Sequence, residues 1–345
     1  TGGRVAVLWC APCRNKRHPR RTLRRTGSPD RALDGDGNRS GPLELAAGEM
    51  PDFQDRAGAI MMEKLDAHMH VWKIARGDYD WLTPELGAIY RDFAIDDVWD
   101  EANRTGTSRV ILVQAAASMA ETEFMLSIAD SDSRVAGVVG WVDFEAASGV
   151  EDVELFAQKK HIVGLRPMIA DRPDADWILD AAHAPVLEAM VEHNMVFDGH
   201  ARADLITVMA TLAQRYPQLE IVLNHGGKPA IESGRLDEWR RDISRLATCG
   251  NVSCKLSGLL TEAGSKSDDG SISDVVEHMG DCFGPERLMW GSDWPVLTLA
   301  GSYTGWAEQS ARLIERLFPA HQAAIWKDNA ERIYLGRAGV RIGKA

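Results

Sequence analysis

The chain has 345 residues, 45% of them hydrophobic and 26% charged, and a net charge of -12. That length accommodates two ordinary domains or one large α/β barrel, and the composition is globular rather than disordered or collagenous. The acidic balance excludes a general nucleic-acid or acidic-membrane surface, and no apolar run reaches membrane-spanning length.

The charge is uneven. Residues 1–60 hold 11 Lys and Arg against 7 Asp and Glu, the remainder 28 against 44. The opening segment, with "RNKRHPRRTLRR" and scattered Gly, Ser and Pro but no sustained apolar period, is expected to be a disordered extension. Its Arg-rich start admits a transit-peptide reading on composition. Met61 and Met62 stand just before the first strand-like run, so a natural start at one of them is the better expectation. Cys10 and Cys13 form a C-x-x-C pair without a second half or a βαβ context, so no zinc or redox role is expected. Cys249, Cys254 and Cys282 suggest no disulfide framework, and the chain reads as cytoplasmic.

From Leu65 onward, short β-rich runs alternate with amphipathic stretches. The runs are "KLDAHMHVW", "RVILVQA" at 109–115, "VAGVVGWVD" at 135–143, "IVGLRPM" at 162–168, "MVFDGHA" at 195–201, "EIVLNHGG" at 220–227, "VSCKLSG" at 252–258 and "RLMWGSDWPV" at 287–296. Helix-like segments include 120–130, 184–193, 205–215 and 236–247. Eight β/α units over residues 61–345 predict an α/β protein with a (β/α)8 TIM barrel as one domain; a doubly wound sheet is the alternative. The barrel is preferred because polar residues close the runs: His70, Gln114, Asp143, Arg166, His200, His225, Lys255 and Asp293. In a barrel those ends converge on one mouth.

The sharpest local signal is "LDAHMH" at 65–70. Alternate strand residues share a face, so Asp66, His68 and His70 are expected on one surface, where two imidazoles at i and i+2 can chelate a divalent ion. Packed histidines are the competing reading of such a pair taken alone. Four histidines and Asp293 converging on one mouth favour chemistry. Trp290, Trp294 and Pro295 flank Asp293 and are expected to desolvate it and raise its affinity for a proton. Arg166 and Lys255 are the only charges in their apolar runs, so each faces the pocket or pairs with an acid. There they could polarise a carbonyl or hold a carboxylate or hydroxyl. Among eleven tryptophans, Trp72, Trp81, Trp141 and Trp294 fall at or after strand ends, where a ring face can stack on a sugar or flat lactone. "HGGKP" lacks the spacing of a phosphate loop.

"LDAHMHVW", "YDWLTPE", "GVVGWVD", "VGLRPMI", "DWIL", "HGGKP", "VSCKLSGLLTEA" and "LMWGSDWPV" together resemble the amidohydrolase superfamily. The likeness is to the amidohydrolase-related branch with the L-fuconolactonase-like and L-rhamnono-lactonase-like sugar lactonases and the pyrone-dicarboxylate lactonases. It covers about Leu65 to Leu335. It implies a barrel that opens a cyclic ester, most simply a sugar aldonolactone, by attack of activated water. His68 and His70 match the superfamily's first-strand pair, His225 its sixth-strand histidine and Asp293 its eighth-strand aspartate. His200 lies where metal-dependent members carry a fifth-strand histidine. Arg166 stands where two-metal members carry a bridging lysine or glutamate, which argues against a binuclear site.

Asp293 is thus expected as general base and acid, with His225 and Lys255 as further catalytic groups. Arg166, Arg202, Trp72, Trp141 and Trp294 are expected around the substrate, and one divalent metal, Zn2+ before others, is expected on His68, His70, His200 and Asp293. Metal-independent hydrolysis stays open, since some relatives need none. The rivals are a zinc-dependent decarboxylase of aromatic or muconate-type acids and a non-catalytic sugar-acid binding protein. The expected partner is a small-molecule lactone, with no nucleic acid and no membrane; a homo-oligomer stays open.

Overall fold

The computed structural model describes residues 62–336. The expectations for residues 1–60, the Cys10 and Cys13 pair among them, lie outside the described residues.

Eight parallel strands pair in sequence order: β1 (Lys64–Met69), β2 (Thr107–Val113), β3 (Val135–Gly140), β4 (Ile162–Leu165), β5 (Val196–Gly199), β6 (Ile221–Leu223), β7 (Val252–Leu256) and β8 (Leu288–Trp290). Each overlaps one of the eight expected runs, β2 starting two residues before its run, and each ends earlier than its run, so the closing polar residues other than Lys255, which pairs with Met289 inside β7, stand beyond the strand ends. The segment after β8 runs beside β1 and closes the barrel. The Asp293 N–H donates to the His68 carbonyl at 2.8 Å and the His70 N–H to the Trp294 carbonyl at 2.7 Å.

The barrel interior is filled by Leu65, Ala67, Ile111, Val113, Val139, Val163, Val196, Val222 and Met289. Every strand but β7 contributes. The apolar residues of β7, Val252, Cys254 and Leu256, join the outer core instead, which leaves Lys255 in the alternate position, wholly buried. Small residues let the strands close up: a Cβ on Gly164 would lie 2.5 Å from the Val196 carbonyl oxygen on the neighbouring strand. Gly164→Ala is therefore expected to part β4 from β5 and lower stability by about 1–3 kcal/mol, read as a fall in the urea midpoint; an unchanged midpoint would contradict that close approach.

Among the described residues nine α-helices surround the strands: α1 (Trp99–Arg104), α2 (Met119–Ser131), α3 (Gly149–Ala157), α4 (Ala184–Glu192), α5 (Ile206–Arg215), α6 (Asp237–Ala247), α7 (Leu259–Ala263), α8 (Asp269–Phe283) and α9 (Tyr303–Leu317). The four expected helical segments correspond to α2, α4, α5 and α6. The last buries Trp239, Ile243, Leu246 and Ala247, a stripe at helical spacing. Ser118 caps α2 by accepting the Glu121 N–H, while the Glu121 carboxylate accepts the N–H groups of Ala115 and Ala116 and so holds the end of β2. None of the described helices is long and apolar enough to cross a membrane.

A last helical stretch, with π turns at Ala324–Asp328 and Glu331–Leu335, plugs the N-terminal end of the barrel. Asn329 donates to the Leu288 carbonyl at the start of β8, and Lys64 at the start of β1 lies 4.2 Å over the Trp326 ring. Ala330, Ile333 and Tyr334 enter the inner core. The Tyr334 hydroxyl donates to Asp198 on β5.

Candidate active site

The expectation that Asp66, His68 and His70 share one face fails at Asp66. The register of β1 against β2 slips between Asp66 and Met69, and such an irregularity re-aims side chains. Asp66 accepts from the Tyr303 hydroxyl at 3.1 Å, the Ser292 N–H at 2.9 Å and the His68 N–H at 3.0 Å. Burial raises its carboxyl to about 6. Asp66 thus ties β1 to the closing segment, and the two imidazoles face each other, Nε2 to Nε2, at 3.2 Å.

Asp293 meets them from the other side of the closure. Its Oδ1 lies 3.3 Å from His70 Nε2, 3.6 Å from His68 Nε2 and 3.8 Å from His225 Nε2. Backbone geometry presents these groups: Asp293, His225 and Lys228 have left-handed φ of 59°, 54° and 52°. Positive φ in residues other than glycine is strained, and strain of this kind concentrates at functional sites. Gly258 has no room for a side chain, because a Cβ there would lie 2.5 Å from His225 Nδ1.

Burial keeps the imidazoles neutral. It pulls His68 and His200 well below their ordinary range, lowers His70, and takes His225 down to about 3. For Asp293 burial acts the other way, but the surrounding His225, His70 and Lys228 outweigh it and hold the carboxyl below its usual range. This corrects the expected rise in proton affinity. Trp290 turns away to Ser310, and Trp294 packs edge-on against Phe93 at 5.2 Å.

Two contacts set the tautomers. His70 Nδ1 donates to the Val113 carbonyl at 2.7 Å, which leaves the lone pair on Nε2. His68 Nδ1 lies 3.2 Å from Lys255 Nζ. An ammonium only donates, so Nδ1 accepts and the His68 proton sits on Nε2, aimed at His70 and Asp293. Lys255 also bonds Asp198 at 2.8 Å and lies 5.2 Å over the Tyr334 ring. Lys255 therefore stands beneath His68 and does not line the mouth, so the expected contact with a substrate carbonyl is not available to it.

The cavity above Asp293 is lined by His70, Trp81, Ala115, Arg166, His200, His225, Lys228, Thr261, Glu262, Asp293 and Val296. Its water-accessible volume is about 70 Å³. Arg166 donates to the Gln114 carbonyl, and its buried Nε has no acceptor among the described residues. Other residues expected around a substrate stand elsewhere. Trp72 is core, its indole bonded to the Arg91 carbonyl and packed on Trp81 and Phe93. Trp141 and Trp294 do not line the cavity, and Arg202 is turned to Asp204 and the Ala170 carbonyl. Lys228, Thr261 and Glu262 also line the cavity although none is among the expected site residues; the signals for them are "HGGKP" and the "TE" of "VSCKLSGLLTEA".

The donor set fits one small divalent ion in spacing. Tetrahedral coordination at zinc–nitrogen bond lengths separates ligand atoms by about 3.3–3.4 Å; the three edges among His68, His70 and Asp293 are 3.2, 3.3 and 3.6 Å. These three are the described group with ligand atoms within 4.8 Å of one another. His200, expected as a fourth ligand, is not in it.

The amidohydrolase family profile matches residues 65–335. An L-fucono-1,5-lactonase from Burkholderia ambifaria is 39% identical over 278 residues, covering 79% of this chain and 96% of that protein. An amidohydrolase from Burkholderia multivorans, solved with bound HEPES, is 34% identical with a TM-score of 0.75, covering 79% of this chain and 99% of that one. The same protein in a second crystal form, with bound Zn, is 33% identical with a TM-score of 0.75 and the same coverage. With eight strands closing as that barrel and the matched stretch running from β1 into the plugging helix, this chain belongs to the amidohydrolase family.

Proposed function

We propose that the protein hydrolyses the ring ester of a lactone, a sugar aldonolactone in particular, with Asp293 as general base and then general acid. The observation that carries this reading is the buried, ionised Asp293 carboxylate at the floor of a polar cavity, ringed by three neutral imidazoles. The 39% identity with an L-fucono-1,5-lactonase supports it. Water held between Asp293 and His70 attacks the carbonyl carbon while Asp293 takes its proton. The carbonyl oxygen gains negative charge facing Arg166 Nε–H and His225. Collapse breaks the bond to the ring oxygen, which receives the proton from Asp293. The product is a hydroxy acid whose ionisation releases one proton to solvent.

A divalent ion would be held by His68, His70 and Asp293 and would supply Lewis acidity at the carbonyl or the attacking water. His70 already presents a lone pair with an outer partner in Val113, as metal-bound imidazoles do. His68 would have to give up its Nε2 proton. Calorimetric titration of the chelated protein with Zn2+ is therefore expected to show saturation near one ion per chain with release of about one proton. His70→Ala should weaken binding at least as much as the roughly 10–100-fold that loss of an outer partner costs; equal binding by both proteins would remove His70 from the ligand set.

The pH profile follows from the same shifts. A carboxylate with a depressed value stays ionised until the pH falls through that value, below the ordinary 3.8, and His225 stays neutral down to about 3. We expect kcat/KM to be flat from about pH 5 to 8, with no step near the ordinary imidazole value of about 6.5. A step there would mean that an imidazole, not Asp293, carries the essential proton.

An indicator assay of acid release over sugar lactones and dicarboxylate lactones tests the function itself. Acid release from a sugar lactone is expected; carbon dioxide from an aromatic acid instead would establish the decarboxylase.

A further inference from the structure

The rim of the cavity carries an ion pair that takes no direct part in the hydrolytic steps. Lys228 Nζ lies 3.2 Å from Glu262 Oε1, with both side chains partly exposed to the cavity. Thr261 beside them donates its hydroxyl hydrogen to the Gly258 carbonyl at 2.8 Å. Their positions are built in. Lys228 ends a run of four left-handed residues from His225, with φ of 54°, 59°, 71° and 52°. Glycine takes that conformation freely, whereas lysine does not. Glu262 and Thr261 sit on α7, directly after the neighbouring strand.

The unused hydrogen-bonding capacity is specific. An ammonium has three donors and only one meets Glu262 Oε1, while Glu262 keeps a second oxygen and Thr261 its oxygen lone pairs. Donors and acceptors therefore lie side by side, as a hydroxyl group requires, since it both donates and accepts. An ionised carboxylate is poorly served there: it accepts only, and Glu262 would repel it. The charged residues lining the whole cavity are two cations, Arg166 and Lys228, and two anions, Asp293 and Glu262, so the cavity has no positive excess to hold a dianion.

We propose that Lys228, Glu262 and Thr261 form a hydroxyl-recognition subsite that selects uncharged, polyhydroxylated rings: Lys228 donates to the ring hydroxyls, and Glu262 and Thr261 accept from them. Ring hydrolysis in the same cavity rests on the lactonase reading; the subsite rests on the rim geometry.

The test compares L-fucono-1,5-lactone with δ-valerolactone, the same six-membered ring without hydroxyls. In Glu262→Gln and in Lys228→Met, the ratio of kcat/KM for the first over the second is expected to fall by about 10- to 100-fold, the value of one charged hydrogen bond, mainly through KM. Equal losses on both lactones, or none, would overturn the proposal. A second measurement uses the fucono-δ-lactam, which keeps the hydroxyls and resists ring opening. The wild-type protein is expected to bind it at least tenfold more tightly than either variant, with equal binding overturning the subsite. If the wild-type protein opens neither lactone yet its lactam binding depends on Glu262, the hydrolytic reading fails and the subsite stands. Circular dichroism melting of each variant confirms that it is folded.

Discussion

Asp293→Asn should lower kcat on an accepted lactone by about 10²- to 10⁴-fold, the usual contribution of a positioned general base, while KM changes little. The amide matches the carboxylate in shape and keeps the backbone bond to His68, so the barrel closure survives. Only the ability to take and return a proton is removed. Titrating initial rates of acid release for the two proteins decides it. Wild-type turnover by the variant would exclude Asp293 from proton transfer, and a loss confined to KM would make it a binding group. Because three imidazoles stand within 3.8 Å of Oδ1, loss of the negative charge also relaxes their hydrogen bonding, and the fall should lie toward the upper end.

Lys255→Met should cost about 3–5 kcal/mol of stability, the range for removing one partner of a buried ion pair. Both Lys255 and Asp198 are wholly buried, and the substitution leaves the Asp198 carboxylate with only the Tyr334 hydroxyl and the Asn224 amide. Asp198→Asn added to Lys255→Met removes the stranded charge and should recover most of the loss, as urea unfolding of the three proteins would measure. Asp198 is held below its usual range: burial pushes it up, and Lys255 together with the hydrogen bonds from Tyr334 and Asn224 outweighs it. Without Lys255 its folded value is expected to rise, because burial is then opposed only by the hydrogen bonds from Tyr334 and Asn224. The folded variant then binds the extra proton, so its deficit should shrink as the pH falls and grow as it rises. A single variant losing less than about 1 kcal/mol, or a double variant no better than the single, would mean that this pair does not hold the site.

The eight strands were legible because parallel strands buried on both faces read as short runs of Val, Ile and Leu, and few other folds repeat that run eight times between helices. The mouth was legible for a related reason. His70, Arg166, His200, His225 and Asp293 interrupt or close apolar runs, where burial is unfavourable unless a site uses them. What escaped depends on distant partners. Asp66 leaves the face of His68 because Ser292 and Tyr303, more than 220 residues away, claim its oxygens. Lys255 could be read as facing a pocket or an acid; Asp198 and Tyr334 decide for the acid. Trp72 looked like a stacking platform but meets Arg91 and Phe93, which fold back over it. The rim pair of Lys228 and Glu262 depends on a left-handed backbone run that composition does not reveal.

The helix carrying Tyr334 gives the molecule an order of assembly. Tyr334 supports Asp198, Asp198 holds Lys255, and Lys255 sets the proton on His68, so nearly the last described residue governs the first strand's chemistry. A chain still emerging from the ribosome could pair all eight strands and yet have no floor beneath its catalytic groups. A fragment stopping after α9 would lack the Tyr334 hydroxyl that donates to Asp198, and with it one of the supports beneath Lys255 and His68.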